Sequence, residues 1–272
     1  LALFLYSFQA SAAAGDVINN IATISFVTLG ETRIQESSPL GNALPGIGNG
    51  SPTSFTEDLL INFSVVSNDA IAINVASLQS SAFLSYTVTN NGNAPQDFLL
   101  TAVNTSPSPF PANAENFDPV SPMQVFVEEG SDATYLLAED TQVFIDELAV
   151  GTSAIVYVVA DIPVTNIGDS SAVALVAQVA EGGAAGQGVV INNDDNGFIS
   201  PAGVYSNGAI NISAGVASSI ANTDGFEVVF NDPAGLNSED IDSASNQDVP
   251  SNGQHSDVGA FLVQTTASGT GS

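Results

Sequence analysis

The strongest constraint on the fold is a repeated alternation of apolar and polar residues in short runs that end in turn-forming residues. In the stretch at 84–98, LSYTVTNNGNAPQDF, Leu84, Tyr86 and Val88 alternate with small polar residues, and Asn-Asn-Gly-Asn follows. A period of two is typical of a strand with one buried face, and Asn and Gly tolerate the positive φ of tight turns. The stretch predicts a β-hairpin around which the rest of the chain is organised.

Comparable short runs recur along the chain, and no run of ten or more residues has the period of an amphipathic helix. They lie at 16–27, 59–65, 71–75, 125–127, 143–145, 155–159, 173–179, 226–230 and 260–263. Five prolines within 104–122 and the Ser/Pro/Gly/Asn-rich stretch at 37–56 predict long loops. Short strands separated by turns predict an all-β fold, an immunoglobulin-like β-sandwich with Greek-key connections.

The composition divides the chain into three parts. Residues 1–14 are apolar, 15–182 carry most of the predicted strands, and 183–272 are rich in Asn, Asp, Ser and Gly. The sequence EGGAAGQG at 181–188 predicts a flexible joint before the last part. The last part either extends the main sandwich or forms a second, smaller β subdomain.

The charge of the chain excludes one class of partner. There is one Lys or Arg against 29 Asp and Glu, which gives a net charge of −28. Nucleic acid is excluded because phosphate binding needs clustered basic residues, and anionic lipid is disfavoured for the same reason. Such charge repels itself, so salt or divalent cations should stabilise the fold. The only fixed cation, Arg33, is expected to pair with a carboxylate in its own chain or in a neighbouring subunit.

The inventory of reactive side chains argues against an enzyme. The chain has no Cys, no Lys and one His, so most nucleophiles and general bases are missing. His255 has Ser256 and Asp257 beside it, but neighbours in a strand point to opposite faces, and catalytic triads join separated residues. A structural or exposed histidine is the expected outcome.

The N-terminal segment LALFLYSFQASAAA has two interpretations. Its apolar run and Ala-rich end resemble a secretory signal remnant, with A-x-A-like cleavage sites. If it is retained, its apolar residues would suit insertion into the sheet of a neighbouring subunit; they are Leu1, Leu3, Leu5 and Phe8. The apolar run is too short to span a bilayer, so no membrane span is expected. Both interpretations predict Sec-dependent export to the cell surface or the medium.

Five segments occur in an order that resembles a known family. They are AGDVINNIATISF, SYTVTNNGNAPQDFLL, VFVEEGSDATYLLAEDTQV, IDELAVGTSAIVYVVADIP and QHSDVGAFLV. Over roughly residues 14–265 the chain is similar to the conserved-repeat, immunoglobulin-like domain proteins of bacterial cell surfaces. The resemblance implies an exported β-sandwich surface protein of a kind that usually has no assigned enzymatic activity.

Two acidic segments are candidate calcium sites. Glu128, Asp132 and Glu139 fall at positions 1, 5 and 12 of a calcium-loop spacing, although positions 3 and 6 do not fit. The alternative is an acidic loop facing water. Asp194 and Asp195 lie in NNDDNG, which offers oxygen ligands beside a glycine, or forms a polar turn without an ion. Ca²⁺ is the only cofactor that the sequence suggests.

Two functional hypotheses follow. The first is a structural subunit of a pilus-like extracellular filament or surface layer, a homopolymer assembled by adding a strand of one subunit to a sheet of the next. The second is a monomeric secreted adhesin or calcium-dependent surface-binding module.

Overall fold

The computed structural model describes residues 12–41, 44–105, 115–130, 133–191, 211–213, 227–230 and 253–265, and these residues form strands and no helix. The strands are β1 Val17–Asn20, β2 Thr23–Thr28, β3 Glu31–Glu36, β4 Thr53–Thr56, β5 Leu59–Ile61, β6 Phe63–Ser67, β7 Ile73–Ala76, β8 Ala82–Asn90, β9 Gln96–Thr105, β10 Val120–Val127, β11 Phe144–Leu148, β12 Ser153–Asp161, β13 Ser170–Glu181, β14 Asn211–Ser213, β15 Glu227–Phe230 and β16 Gln254–Thr265. The prediction of an all-β chain is confirmed. Within these ranges, no helical segment has the length and apolar character of a membrane span.

Two sheets face each other across one apolar core. The four-stranded sheet has the order β10-β12-β8-β6, and the five-stranded sheet has the order β11-β9-β13-β16-β7. The alternation predicted for β8 is confirmed, because Leu84, Tyr86 and Val88 are fully buried between the sheets. Phe98 of β9 and Phe261 of β16 pack in the same core from the opposite sheet. These two sheets therefore form a β-sandwich.

The predicted hairpin at 84–98 is wrong, because β8 and β9 lie in different sheets. β8 pairs with β6 and β12, whereas β9 pairs with β11 and β13. The Asn-Asn-Gly-Asn turn carries the chain across the core, so both strands contribute apolar faces to the same interior. Alternation and turn residues predict a reversal of the chain, but they do not distinguish pairing within a sheet from crossing between sheets.

Buried amides hold this turn in place. Asn90 donates from Nδ2 to the carbonyl oxygens of Ala94 and Leu148, both at 2.8 Å, and its Oδ1 accepts from the Gly92 N–H at 2.9 Å. Asn93 bonds to the backbone beside β5, accepting from the Leu60 N–H at 2.8 Å. A side chain on Gly92 would overlap the Leu60 carbonyl oxygen, so glycine is required there. The turn joins three separate parts of the sandwich.

A second buried polar contact crosses the core. The Tyr86 hydroxyl donates to the Val173 carbonyl oxygen at 2.8 Å and accepts from the Gly259 N–H at 3.1 Å. Complete burial raises the pKa of this hydroxyl, so it stays protonated. It ties β8 to β13 and β16 of the facing sheet.

Two predicted strands are each divided into two elements. The run at 16–27 forms β1 and β2, and β1 pairs with β4, which lies within the predicted loop at 37–56. The run at 59–65 forms β5 and β6, which separate at Asn62 and pair with β15 and β8 respectively. In the run at 59–65 the period of two continues across the break, so the sequence pattern does not show it.

Residues near the end of the described chain belong to the main sandwich. β16 lies between β13 and β7, antiparallel to β13 and parallel to β7. The glycine-rich stretch after β13, predicted as a flexible joint, is instead hydrogen-bonded back to the sandwich at Gly183, Gly186 and Gly188. The backbone N–H groups there donate hydrogen bonds to carboxylates of β9 and β11, and these bonds hold the segment against the sheet.

Candidate subunit contact and candidate cation site

Two ribbons of two strands project from the sandwich, and we call them together the N-terminal arm (residues 17–56). One ribbon pairs β1 with β4, and the other pairs β2 with β3. All six residues of β2 are exposed, with Ile24 at 60% and Val27 at 70% of full exposure. Other exposed apolar residues of the arm are Val17, Ile21, Phe26, Leu29, Leu40, Leu44, Ile47 and Phe55.

An arm of this kind is incomplete by itself. A two-stranded ribbon is marginally stable in water, and it normally needs a surface against which to bury its apolar side chains. Contiguous exposed apolar residues on a soluble protein commonly mark an interaction site. The arm is also weakly charged, since Arg33 forms an exposed ion pair with Glu31 at 3.3 Å. The prediction that Arg33 finds a carboxylate is confirmed, within its own chain.

The candidate donor strand lies outside the described residues, as do Leu1, Leu3, Leu5 and Phe8 that define it. The described chain begins beside the turn between β8 and β9. Ala14 packs against the core and donates its N–H to the Asn93 carbonyl oxygen at 3.3 Å. Ala14 therefore lies at the end of the sandwich where β9 begins.

In the first predicted calcium loop, carboxylates bond to the backbone of the loop itself. Glu128 accepts from the Gly130 N–H at 2.8 Å and from the Tyr157 hydroxyl at 2.5 Å. Asp140 is buried and accepts from the N–H groups of Glu129 and Leu136. These bonds tie the two ends of the loop together.

Two of the predicted ligands nevertheless meet. A Cβ on Gly130 would lie within 3 Å of the carboxylates of both Glu128 and Glu139, so both acids lie beside the same glycine. Asp132, the third predicted ligand, lies outside the described residues, and so do Asp194 and Asp195 of the second site. The described part therefore holds two of the five residues predicted for calcium.

A different acidic cluster was not predicted. The ligand oxygens of Asp97, Asp146 and Glu147 lie within 4.8 Å of one another. Asp97 is fully buried and accepts from the N–H groups of Glu147 and Gly188, both at 2.8 Å. Glu147 accepts from Gly183 at 2.5 Å, and Asp146 from Gly186 at 3.2 Å. We call these residues the acidic trio.

A bulge in the sheet creates the acidic trio. The register between β11 and β9 shifts between Ile145 and Leu148, and Glu147 takes a positive φ of 56° there. The shift turns two adjacent acids toward Asp97. The sequence carries no signal of this, because a single adjacent acid pair and an acid fifty residues earlier match no ligand spacing.

The electrostatics of the acidic trio favour a bound proton or cation. Burial raises the pKa of Asp97, its two backbone hydrogen bonds oppose that rise, and the charges of Asp146 and Glu147 add to it. Each carboxylate oxygen has two lone pairs, so oxygens that accept one N–H can still bind an ion. Three carboxylates are about half of the six to eight oxygens that Ca²⁺ takes.

His255 has a structural environment, as expected. It is 8% exposed, and its ring meets Phe63 edge-on at a centroid distance of 4.5 Å. Asp257 accepts from the Ser67 N–H at 2.5 Å. Neither contact resembles a nucleophile beside a base.

Comparison with protein-family models finds no matching family, and searches among curated proteins and among solved structures find no match. The resemblance to surface proteins with immunoglobulin-like repeats therefore stays a prediction.

Proposed function

We propose that this chain is a structural subunit of an extracellular filament or surface layer, a homopolymer built by adding a strand from one subunit to a sheet of the next. The sandwich is proposed to have immunoglobulin-like Greek-key connections. No catalytic role is proposed, because the carboxylates of the described acidic clusters accept hydrogen bonds from backbone N–H groups.

The N-terminal arm is the observation that carries the proposal of contact between subunits, and residues 1–8 are the strand proposed to join them. Its apolar side chains are exposed on both faces of a ribbon that needs a covering surface. A partner with strong positive charge would complement the sandwich, but the arm itself offers weakly charged area and strand edges. A second copy of the chain supplies a weakly charged surface of the same kind. Two chains that each have a net charge of −28 repel each other, so they can approach closely only through weakly charged surfaces.

The test is electron microscopy and light scattering of the purified exported chain at increasing protein and salt concentrations. We expect fibres or sheets whose mass grows with protein concentration and with salt concentration. Salt promotes assembly because it screens the repulsion between subunits. Leu3→Glu should abolish the fibres or sheets, since burying a carboxylate in an apolar contact is costly. Leu137→Glu, at an exposed position of the acidic loop, is the matched control and should assemble normally.

Dispersed particles at every concentration would contradict the proposal. So would a mature chain that begins after Ala14, because the strand that joins the subunits would then be absent.

A second function is favoured by the acidic trio: a monomeric surface-binding module that Ca²⁺ strengthens. Millimolar calcium should raise the melting temperature above that in sodium chloride of equal ionic strength, because a ligand that binds only the folded state stabilises it. Asp146→Asn should remove most of this difference, whereas Asp118→Asn, at an exposed acid elsewhere, should keep it. Equal melting temperatures in the two salts would show that calcium acts only by screening charge, and would contradict a specific site.

A further inference from the structure

The two sheets leave a groove open along one side of the sandwich. It has a volume of about 560 Å³ and lies between β9 and β10. Its described lining residues are Leu100, Thr101, Ala102, Val103, Asn104, Ser121, Pro122, Met123, Gln124, Val125, Phe126 and Val143. The volume is in the range of pockets that bind ligands.

The groove exists because β11 covers only the beginning of β9. Their pairing ends at Leu99, whereas β9 continues to Thr105 with an unbroken register to β13 on its other side. Among the described strands, none pairs with the outer edge of β9 from Leu100 onward. This edge is about six residues long, or roughly 20 Å, which is the length of an ordinary strand.

The opposite wall is a poorer template for a strand. β10 is the edge of its sheet, but its register shifts between Val120 and Gln124, and Pro122 has no N–H to donate. An added strand would therefore pair with the same edge of β9 that β11 pairs with, beyond the point where β11 ends. β10 would then cover the apolar side chains of that strand.

The charge pattern points to the occupant. None of the described residues that line the groove is charged, and residues 1–15 of the sequence carry no charge either. In a chain with 29 acids, these are two uncharged surfaces that can meet without repulsion. Leu1, Leu3 and Leu5 alternate, which suits one face of a strand turned toward an apolar groove.

We infer that the groove between β9 and β10 is the acceptor site for residues 1–8 of a second copy of this chain. The inserted segment continues the five-stranded sheet beside Leu100–Thr105, with Leu1, Leu3 and Leu5 in the groove. Backbone hydrogen bonds supply the pairing, and the alternate side chains set the register. This inference rests on the proposed function, since it names the place where the subunits join.

Because the chain has no cysteine, disulfide trapping can test the site without background. A Leu3→Cys chain is mixed with an Ala102→Cys chain under mild oxidation, because paired strands bring such residues within disulfide distance. Intermolecular dimers should form about tenfold faster than with Val66→Cys, an exposed position on the opposite edge strand, since docking raises the effective concentration. Phe4→Cys, on the other face of the inserted strand, should also be slow.

The outcomes separate this inference from the proposed function. Equal trapping at Ala102 and Val66, while the unmodified protein forms fibres, overturns the groove and leaves strand addition elsewhere. A rapid link within one chain of the Leu3→Cys/Ala102→Cys double variant, independent of dilution, shows that the segment fills its own groove and overturns both. Melting temperatures of the cysteine variants must match that of the unmodified chain, so a failure to fold is recognised before trapping is interpreted.

Discussion

Replacing Asn90 by alanine is expected to lower the free energy of unfolding by about 3–4 kcal/mol, the largest loss from any single polar substitution that we foresee. The change leaves the carbonyl oxygens of Ala94 and Leu148 and the N–H of Gly92 without their partner. Each group is held in the interior, where an unpaired donor or acceptor costs about 1–3 kcal/mol. Urea denaturation followed by circular dichroism measures the loss.

Asn91→Ala is the matched control for this experiment. Asn91 is exposed, and its backbone N–H donates to the Asn62 carbonyl oxygen, a bond that alanine would keep. Asn90→Asp keeps an oxygen for Gly92 but cannot donate to the two carbonyls, so it should be nearly as damaging as alanine. Equal stabilities for the Asn90 and Asn91 variants would mean that the turn does not depend on the buried amide.

Tyr86→Phe is expected to cost about 2–3 kcal/mol, although it removes only one oxygen. The ring stays and fills the same space, so no cavity contributes. The loss comes from the Val173 carbonyl oxygen and the Gly259 N–H, which both face the hydroxyl across the core. Phenylalanine cannot replace either bond, and the interior excludes water that could do so.

The control for Tyr86→Phe is Tyr135→Phe, which removes the same atom from a half-buried ring. Tyr135 stacks on Phe126 at a centroid distance of 5.5 Å, and phenylalanine preserves this contact. Chemical denaturation should leave the Tyr135 variant within about 0.5 kcal/mol of the unmodified protein, as for most surface changes. A Tyr86 variant that is equally stable would indicate that the bonds across the core add nothing.

The strands of the sandwich could be predicted from the sequence because burial imposes its period directly on the residues. In β8 the alternation read from the sequence matches the buried face residue by residue, and β12, β13 and β16 contain the predicted runs. The pattern also predicted a turn at Asn90. It could not show whether the following strand pairs with β8, because a strand in either sheet of a sandwich turns the same apolar face toward the core.

The acidic trio shows a second limit of the sequence pattern. Asp97 and Glu147 meet only because β11 pairs with β9 and bulges at Glu147, so their proximity depends on long-range pairing and on one residue of register. The loop at 128–140 shows the reverse case. There the acids are close in sequence, and Glu128, Asp132 and Glu139 were predicted as ion ligands. Of these, Glu128 accepts hydrogen bonds from the Gly130 N–H and the Tyr157 hydroxyl.

The position of β16 between β13 and β7 has a consequence for how the molecule is made. The five-stranded sheet cannot close until residues 254–265 have been synthesised, and contacts such as that between Ser67 and Asp257 span 190 residues of chain. Folding that awaits such distant segments is slow, because the ends of long loops must first be brought together. The core of this sandwich is therefore completed late in synthesis, only after residues 254–265 have emerged to pair with β13 and β7.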